Sequence, residues 1–560
     1  MILETLSTAR DLGRLTHLAA ILIRHGFGDI ARRSGIARLL GSAGKSLHWH
    51  NETTVPELGA PQRVRRALEE MGPTFVKLGQ ILSTRVDLFS PEWITEFEKL
   101  QDEASAVPFD QIRDQLATDL GADPDSVFAA LDPVALAAGS IAQVHRARLA
   151  DGKPVILKVR RPGIDVVIEA DLRLLRHVAE LAEREWPALE RFQPRALVHQ
   201  FAASLRRELD LRTECRNADR IAANLAGNEN IVVPTVYWQW ATRRLNVQAY
   251  IEGIPGRDLS AVDATGLDRS LLARRGANAV LQMVLEDGFY HADPHPGNVF
   301  YLPGNRLAFI DFGMVGRLSS ERRDQLADLL YALARRDAES SAQILLDWAG
   351  TARVDRQGLY LDLDSFIDGF YGISLKQIDV GRLLGDLTAL MRDHQLALPP
   401  DLALLFKAAI SLEGLGRLLD PAFDMVSEAL PFLQRIARER RSPRALARLG
   451  LKSMREAAGI AMSLPAELRR LLKAMDRGAL TVHVDVSRLD RAFERLDRAV
   501  SRLTMGIITA ALIIGSSIVM TVQTESTWLG LPFFGLLGFL GAIVCGLWLL
   551  VSIMRSGRHD

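Results

Sequence analysis

The sequence predicts a helix-rich α+β fold in which an N-terminal helical extension precedes a two-lobed body and a two-helix transmembrane hairpin ends the chain. Three observations carry that expectation. Alternation of apolar and polar residues at period two is concentrated in "GSIAQVHRARLADGKPVILKV", around an Asp151-Gly152 turn, which is a hairpin signal. Almost everywhere else the apolar residues recur at helical spacing. Finally, Leu503 to Val522 and Trp528 to Ile553 contain no charged residue, and each run is long enough to cross roughly 30 Å of hydrocarbon as a helix.

With 560 residues the chain suggests several structural units and has ample material for a core. Lysine plus arginine (68) equals aspartate plus glutamate (68), so no charge excess argues for nucleic acid. The only cysteines, Cys215 and Cys545, can build neither a disulfide framework nor a zinc site, which fits a reducing compartment. Arg488, Arg491, Arg495, Arg498 and Arg502 precede the first uncharged run, and Arg555 and Arg558 follow the second. Because the intervening "QTEST" has no basic residue, both ends are expected in the cytoplasm, with the bulk of the chain.

Taken in order, residues 1–60 read as a basic, helical N-terminus. Its "RLTHLAAILIRHGF" forms an amphipathic helix that either packs on its own domain or lies on a membrane surface. Residues 61–132 read as helices punctuated by Pro73, Pro91 and Pro108, and the first sheet is expected from Pro133. A first lobe over 133–260 contains the hairpin, two long amphipathic patterns broken near Pro187 and Pro194, and strands in "IVVPTVYWQW" and "RRLNVQAYI". A second lobe over 261–475 is mostly helical, residues 476–502 form a linker in which "ALTVHVDVS" alternates, and 503–553 form the hairpin.

The residues that carry chemistry appear in a fixed order. Lys158, in "VILKV", sits on the third strand, where an ammonium can reach the α- and β-phosphates of ATP if a helix carboxylate holds it. Glu214 is the candidate carboxylate. Read as one continuous helix, the sequence puts Glu214 on the same face as Asp210 and turns Glu208 about 240° away. Asp293 and Asn298 in "HADPHPGN" have the spacing of a kinase catalytic loop, where the aspartate handles the proton of the attacking group and the asparagine ligates Mg²⁺. Asp311 of "DFG" supplies a second oxygen ligand. His291 and His295 read as structural histidines that hold the loop, since no third soft ligand is nearby to complete a zinc site. The order of these parts is that of a protein-kinase-like bilobal fold.

On "GPTFVKLGQILSTRVDLFSPEW", "AAGSIAQVHRARLADGKPVILKVRRPGI", "RELDLRTECRNA", "HADPHPGN" and "DFGMVGRL", the chain resembles the UbiB/ADCK family of atypical kinase-like proteins, in particular its bacterial UbiB-type members. The resemblance implies that Lys77, Gly79 and Gln80 form a Lys-x-Gly-Gln motif laid across the place where a kinase binds peptide. It also implies that Glu208 and Asp210 contact Lys77 while Glu214 pairs with Lys158, and that Ala137, Ala138, Gly139 and Ser140 replace the glycine-rich loop. Gly139 stands where the family often has alanine. No Ala-Pro-Glu segment follows "DFGMVGRL", so a platform for a protein substrate is missing. The implied activity is ATP and Mg²⁺ binding with slow, lipid-stimulated ATP hydrolysis in support of ubiquinone biosynthesis. The implied site of action is the bacterial inner membrane, with lipid, quinone precursors and ubiquinone biosynthesis enzymes as partners. A small-molecule or lipid kinase and a non-catalytic scaffold remain open as alternatives.

Overall fold

A computed structural model describes residues 9–27, 58–85, 88–100, 104–185, 193–349, 354–369 and 379–440, and short pieces at 507–511, 513–518, 527–528, 531–532 and 540–541. The chain forms two compact units, residues 1–442 and 443–560.

In the first unit the extension consists of helices Ala9–Arg24, Ala60–Met71, Pro73–Leu82 and Pro91–Glu98. Proline takes the first or second position of the last three, where its missing N–H has no helical partner to lose. Leu15, Leu18 and Ile21 pack with Leu68, Phe75 and Phe97, so the apolar face of the first helix is spent on its own domain, as the first of the two sequence readings expects. A charged clamp joins the extension to the rest. Asp171, fully buried on the helix Ile164–Glu185, accepts hydrogen bonds from Arg14 Nε (2.7 Å), Arg14 Nη2 (3.0 Å) and Thr74 Oγ1 (2.6 Å). Arg14 Nη2 also donates to the carbonyl of Met71 at 2.7 Å.

The first lobe is an antiparallel sheet that begins already at Phe128, ahead of the expected Pro133. Strands β1 (Phe128–Ala138), β2 (Ala142–Leu149) and β3 (Pro154–Arg160) follow one another, and after β4 (Ile231–Val232) the strand β5 (Leu245–Ala249) adds to β3. Asp132 and Pro133 disguise β1 in the sequence, but several breaks in its register with β2 accommodate them. On β3 the alternation is strict. Val155, Leu157 and Val159 face a core shared with Ile112 and Leu116 of the helix Phe109–Leu120, which turns Lys158 to the opposite face.

Helices Ile164–Glu185 and Pro194–Glu208 are inserted between β3 and the helix Leu211–Asn224. Here the expected continuous helix through residues 208–214 is corrected. Asp210 leaves the helical region (φ −99°, ψ 92°), and its side chain accepts from the N–H of Arg212, capping a new helix. Asp210 and Glu214 therefore do not lie one turn apart on a shared face. The expected strand through Trp240 is also corrected: Ile231–Val232 forms a short strand, Val236 makes an isolated antiparallel bridge to Gln248, and Trp238–Trp240 forms a 3₁₀ turn.

In the second lobe, β4 runs parallel to β9 (Arg306–Phe309), after β6 (Ile254–Pro255), β7 (Phe289–His291) and β8 (Val299–Leu302), in the order β4-β9-β8-β6; β7 pairs with β10 (Val315–Arg317). Helices Arg269–Leu281, Ser320–Ala334, Ala338–Ala349, Val380–Asp393 and Pro400–Leu419 enclose a core around Phe289, Tyr290, Phe309 and Phe312.

In the second unit, residues 507–511, 513–518 and 540–541 are helical, and Thr527–Trp528 pairs antiparallel with Leu531–Pro532. The hairpin expected over 503–553 otherwise lies outside the described residues, as do the linker 476–502 and its "ALTVHVDVS". Among the described residues no helix is long and apolar enough to cross a membrane. The start of the expected second span is corrected: Gly530 and Pro532 disfavour helix there, and Leu531–Pro532 is extended.

The clamp generates a prediction. Arg14→Ala leaves a buried carboxylate with Thr74 as its remaining partner of the clamp and should destabilise the folded chain by about 3–5 kcal/mol. Urea denaturation compares it with Thr74→Ala, whose loss is expected to be the smaller.

Candidate active site

Strand β3 and the capped helix Leu211–Asn224 bring two opposite charges together. Lys158 Nζ stands 2.9 Å from Glu214 Oε1 and 3.3 Å from Asp311 Oδ2. Glu214 is buried, whereas the side chain of Asp311 is 47% exposed. Burial works against the charge on Lys158, but Asp311 and Glu214 outweigh it and hold the ammonium above its ordinary value. Burial pushes Glu214 up to about 7, opposed by Lys158 and reinforced by the nearby Asp311 and Glu208. Asp311 moves the other way: burial would raise it, yet Lys158, the Gly313 N–H and the more distant Lys77 hold it well below the usual carboxylate range.

Asp311 owes its direction to the backbone. Its φ of 57° lies in the left-handed region, uncommon for a residue other than glycine, and its Oδ1 accepts from the N–H of Gly313 at 3.1 Å. The next residue anchors the turn. Phe312 is fully buried edge-on against His291, with ring centroids 5.4 Å apart, and its carbonyl accepts from Asn217 Nδ2 at 2.9 Å.

His291 sets the loop. Its Nδ1 accepts from the backbone N–H of Asp293 (3.1 Å), which leaves the proton on Nε2 to be donated to the carbonyl of Ile310 (3.1 Å). Burial lowers its value and keeps it neutral. Both ring nitrogens are engaged in holding the loop. His295 does similar work through Nδ1, which accepts from the N–H of Gly297 at 2.9 Å. Asn298 Nδ2 donates to the carbonyl of Asp293 at 3.2 Å, so the asparagine and the aspartate are tied within one loop.

The extension reaches the site through Lys77, whose Nζ lies 2.6 Å from Glu208 Oε1. Gln80 turns inward, donating from Nε2 to the carbonyl of Leu100 at 3.1 Å. Gly79 between them has no room for a side chain: a Cβ there would meet Leu100 Cδ1 at 2.1 Å. Asp210, besides capping its helix, has Oδ2 3.8 Å from Arg243 Nε. The alanine-rich turn is short. Ala137 and Ala138 end β1, only Gly139, Ser140 and Ile141 precede β2, and Arg161 Nε fixes the turn by donating to the carbonyl of Gly139 at 2.8 Å.

The donor set of Asp311 and Asn298 is oxygen from a carboxylate and an amide whose nitrogen is already engaged, which suits a hard cation such as Mg²⁺. Among the described residues no cluster of three or more His, Cys, Asp or Glu could hold an ion by itself. Such a set fits a cation that takes its remaining ligands from phosphates and water. Sequence reasoning missed one group: Lys407, on the helix Pro400–Leu419, lies with Nζ 3.2 Å from Asp293 Oδ1. More than a hundred residues separate the two, and no local signal marks this lysine.

The shift of Glu214 has a measurable consequence. Its value rises from 4.5 to about 7, so in that window the folded, ligand-free chain holds one more proton than the unfolded chain. Its contribution to stability therefore falls as pH rises from 4.5 towards 7. Glu214→Gln should flatten that decline, read as the difference between the two urea-denaturation profiles across the window.

Three family models match the chain: the ABC1 atypical kinase-like domain over residues 99–345, the UbiB helical domain over 363–424 and the ABC1/UbiB kinase-like C-terminal domain over 487–555. A protein of Vibrio atlanticus (strain LGP32) named "Probable protein kinase UbiB" is 32% identical, covering 94% of this chain and 97% of the relative. One of the same name from Marinobacter nauticus (strain ATCC 700491 / DSM 11845 / VT8) is 36% identical over 70% of this chain and 72% of its own. Among solved structures, the complex structure of Rv3197-erythromycin from Mycobacterium tuberculosis is 21% identical with a TM-score of 0.45, covering 72% of this chain and 99% of that one. Matches of this extent reach from the helical extension to the C-terminal region, and the chain belongs to the UbiB/ADCK family of atypical kinase-like proteins.

Proposed function

We propose that the chain is a membrane-anchored, atypical kinase-like ATPase of the bacterial inner membrane. Its turnover supports ubiquinone biosynthesis by making lipid quinone precursors accessible to their enzymes. The observation that carries this reading is the ammonium of Lys158 held between Glu214 and Asp311. It is a phosphate-binding cation fixed by one buried partner, with its other partner free to turn to a metal. The uncharged runs at 503–522 and 528–553, and the exposure of Ile507, Ile508, Ile513, Ile514 and Ile518, support anchoring to lipid.

In this mechanism Lys158 meets the α- and β-phosphates while Glu214 keeps its direction. Asp311 and Asn298 would hold Mg²⁺, which offsets phosphate charge when bound. Asp293 orients the attacking water and takes its proton. The extension, locked by Lys77 to Glu208 and by Arg14 to Asp171, keeps a peptide from the acceptor side, which favours water or a small lipid acceptor over protein.

Purified protein in liposomes tests the reading. Phosphate release should require both Mg²⁺ and lipid and should fall at least about 100-fold in Asp311→Asn, the scale of losing a group that stabilises charge in the transition state. Binding of ATP without phosphate release under any lipid condition would replace the ATPase with a scaffold. A phosphorylated lipid formed only when Asp293 is intact would replace it with a lipid kinase.

A further inference from the structure

Lys407 is a charged group at this site that the mechanism above does not use. Its ammonium is 3.2 Å from Asp293 Oδ1, and the two side chains are 22% and 23% exposed. His295 Nε2 lies 3.8 Å from the other oxygen of the same carboxylate. A base must come within about 3 Å of the proton it removes, and the attacking oxygen must lie about 3–3.5 Å from the phosphorus. An ammonium that touches the base is thus close to the place of the terminal phosphate, with a four-carbon stem to cover the remaining distance. His295 spends its Nδ1 within the loop, accepting from the N–H of Gly297 at 2.9 Å. Lys407 also faces the extension: burial raises Glu98, on the helix Pro91–Glu98, and the charge of Lys407 opposes the rise.

We propose that Lys407 is the cation that meets the terminal phosphate of ATP and that its ion pair with Asp293 is the resting state of the base. The inference rests on the ATP-binding reading. When the triphosphate enters, Lys407 moves from the carboxylate to the phosphate, and Asp293 is left free to accept a proton. In hydrolysis the water oxygen then bonds to the terminal phosphorus as the bond from that phosphorus to the ADP oxygen breaks. The electron pair of the broken bond stays on ADP, and the proton of the water passes to Asp293. The lysine is neutral bookkeeping in that step: it exchanges one anionic partner for another and transfers nothing.

Nucleotide discrimination tests this without depending on turnover. Affinities for ADP and for a non-hydrolysable ATP analogue are measured with Mg²⁺ on the full chain, its fold checked by thermal unfolding. Lys407→Met should weaken the analogue about 10- to 100-fold, the scale of losing a charge-assisted contact, and leave ADP nearly unchanged. Lys407→Arg should keep most of the discrimination, and this variant carries the test if the methionine chain does not fold. Equal losses for both nucleotides, or no loss, would overturn the assignment. Arg257, whose guanidinium lies 3.4 Å from where a Cβ on Gly297 would stand, is the competing cation. Discrimination lost in Arg257→Met and kept in Lys407→Met would move the role to it. A wild-type chain that binds neither nucleotide overturns the ATP-binding reading and this inference with it, a result distinct from failure of the lysine alone.

Discussion

One ammonium organises the site. Lys158 lies on the face of β3 opposite Val155, Leu157 and Val159, so the alternation that buries three aliphatic side chains also aims the charge. Removing it from water is unfavourable, and the two carboxylates that compensate come from different lobes: Glu214 from the helix beside the first sheet, Asp311 from the turn after β9. The pairing therefore couples lobe to lobe. It depends in turn on a left-handed aspartate held by a buried phenylalanine, and that phenylalanine is held by His291 and Asn217.

The extension is attached by the same kind of chemistry. Two charged anchors of the extension, Arg14 to Asp171 and Lys77 to Glu208, reach the two inserted helices, whereas its apolar core is largely its own. Apolar packing gives it a stable shape, and the ion pairs give it a single seat, since a slip of either helix by one residue would strand Asp171 in a dry interior. Gly79 tightens the arrangement by letting Leu100 lie against the backbone beside the seated lysine.

Local features of the sequence predicted local structure well. The β2–β3 hairpin followed from alternation about Asp151-Gly152, and Pro73, Pro91 and Pro108 each stand at the start of a helix. The pairing of Lys158 with Glu214 was legible because strand, helix and motif order all pointed to it. What stayed hidden has physical causes. Apolar spacing runs unbroken through Leu209 and Leu211, so periodicity masked the cap at Asp210, although an aspartate ahead of a fresh helix is a known signal. The sheet expected from Pro133 starts earlier, at Phe128, because pairing with β2 extends the strand through Asp132 and Pro133. Arg14 with Asp171 and Lys407 with Asp293 join residues far apart in the chain, and neither composition nor period encodes such a meeting.

The short joint at Leu209–Asp210 divides the grip on the site between two helices. Glu208 is the final residue of one helix and Glu214 lies in the first turn of the next, so the extension holds one through Lys77 while Lys158 holds the other. The joint itself is tied down: Arg160 Nη1 donates to the carbonyl of Leu209 at 2.9 Å, and the N–H of Leu211 donates to the carbonyl of Arg243 at 3.1 Å. The seat of the extension and the direction of Glu214 thus depend on the same few residues of backbone.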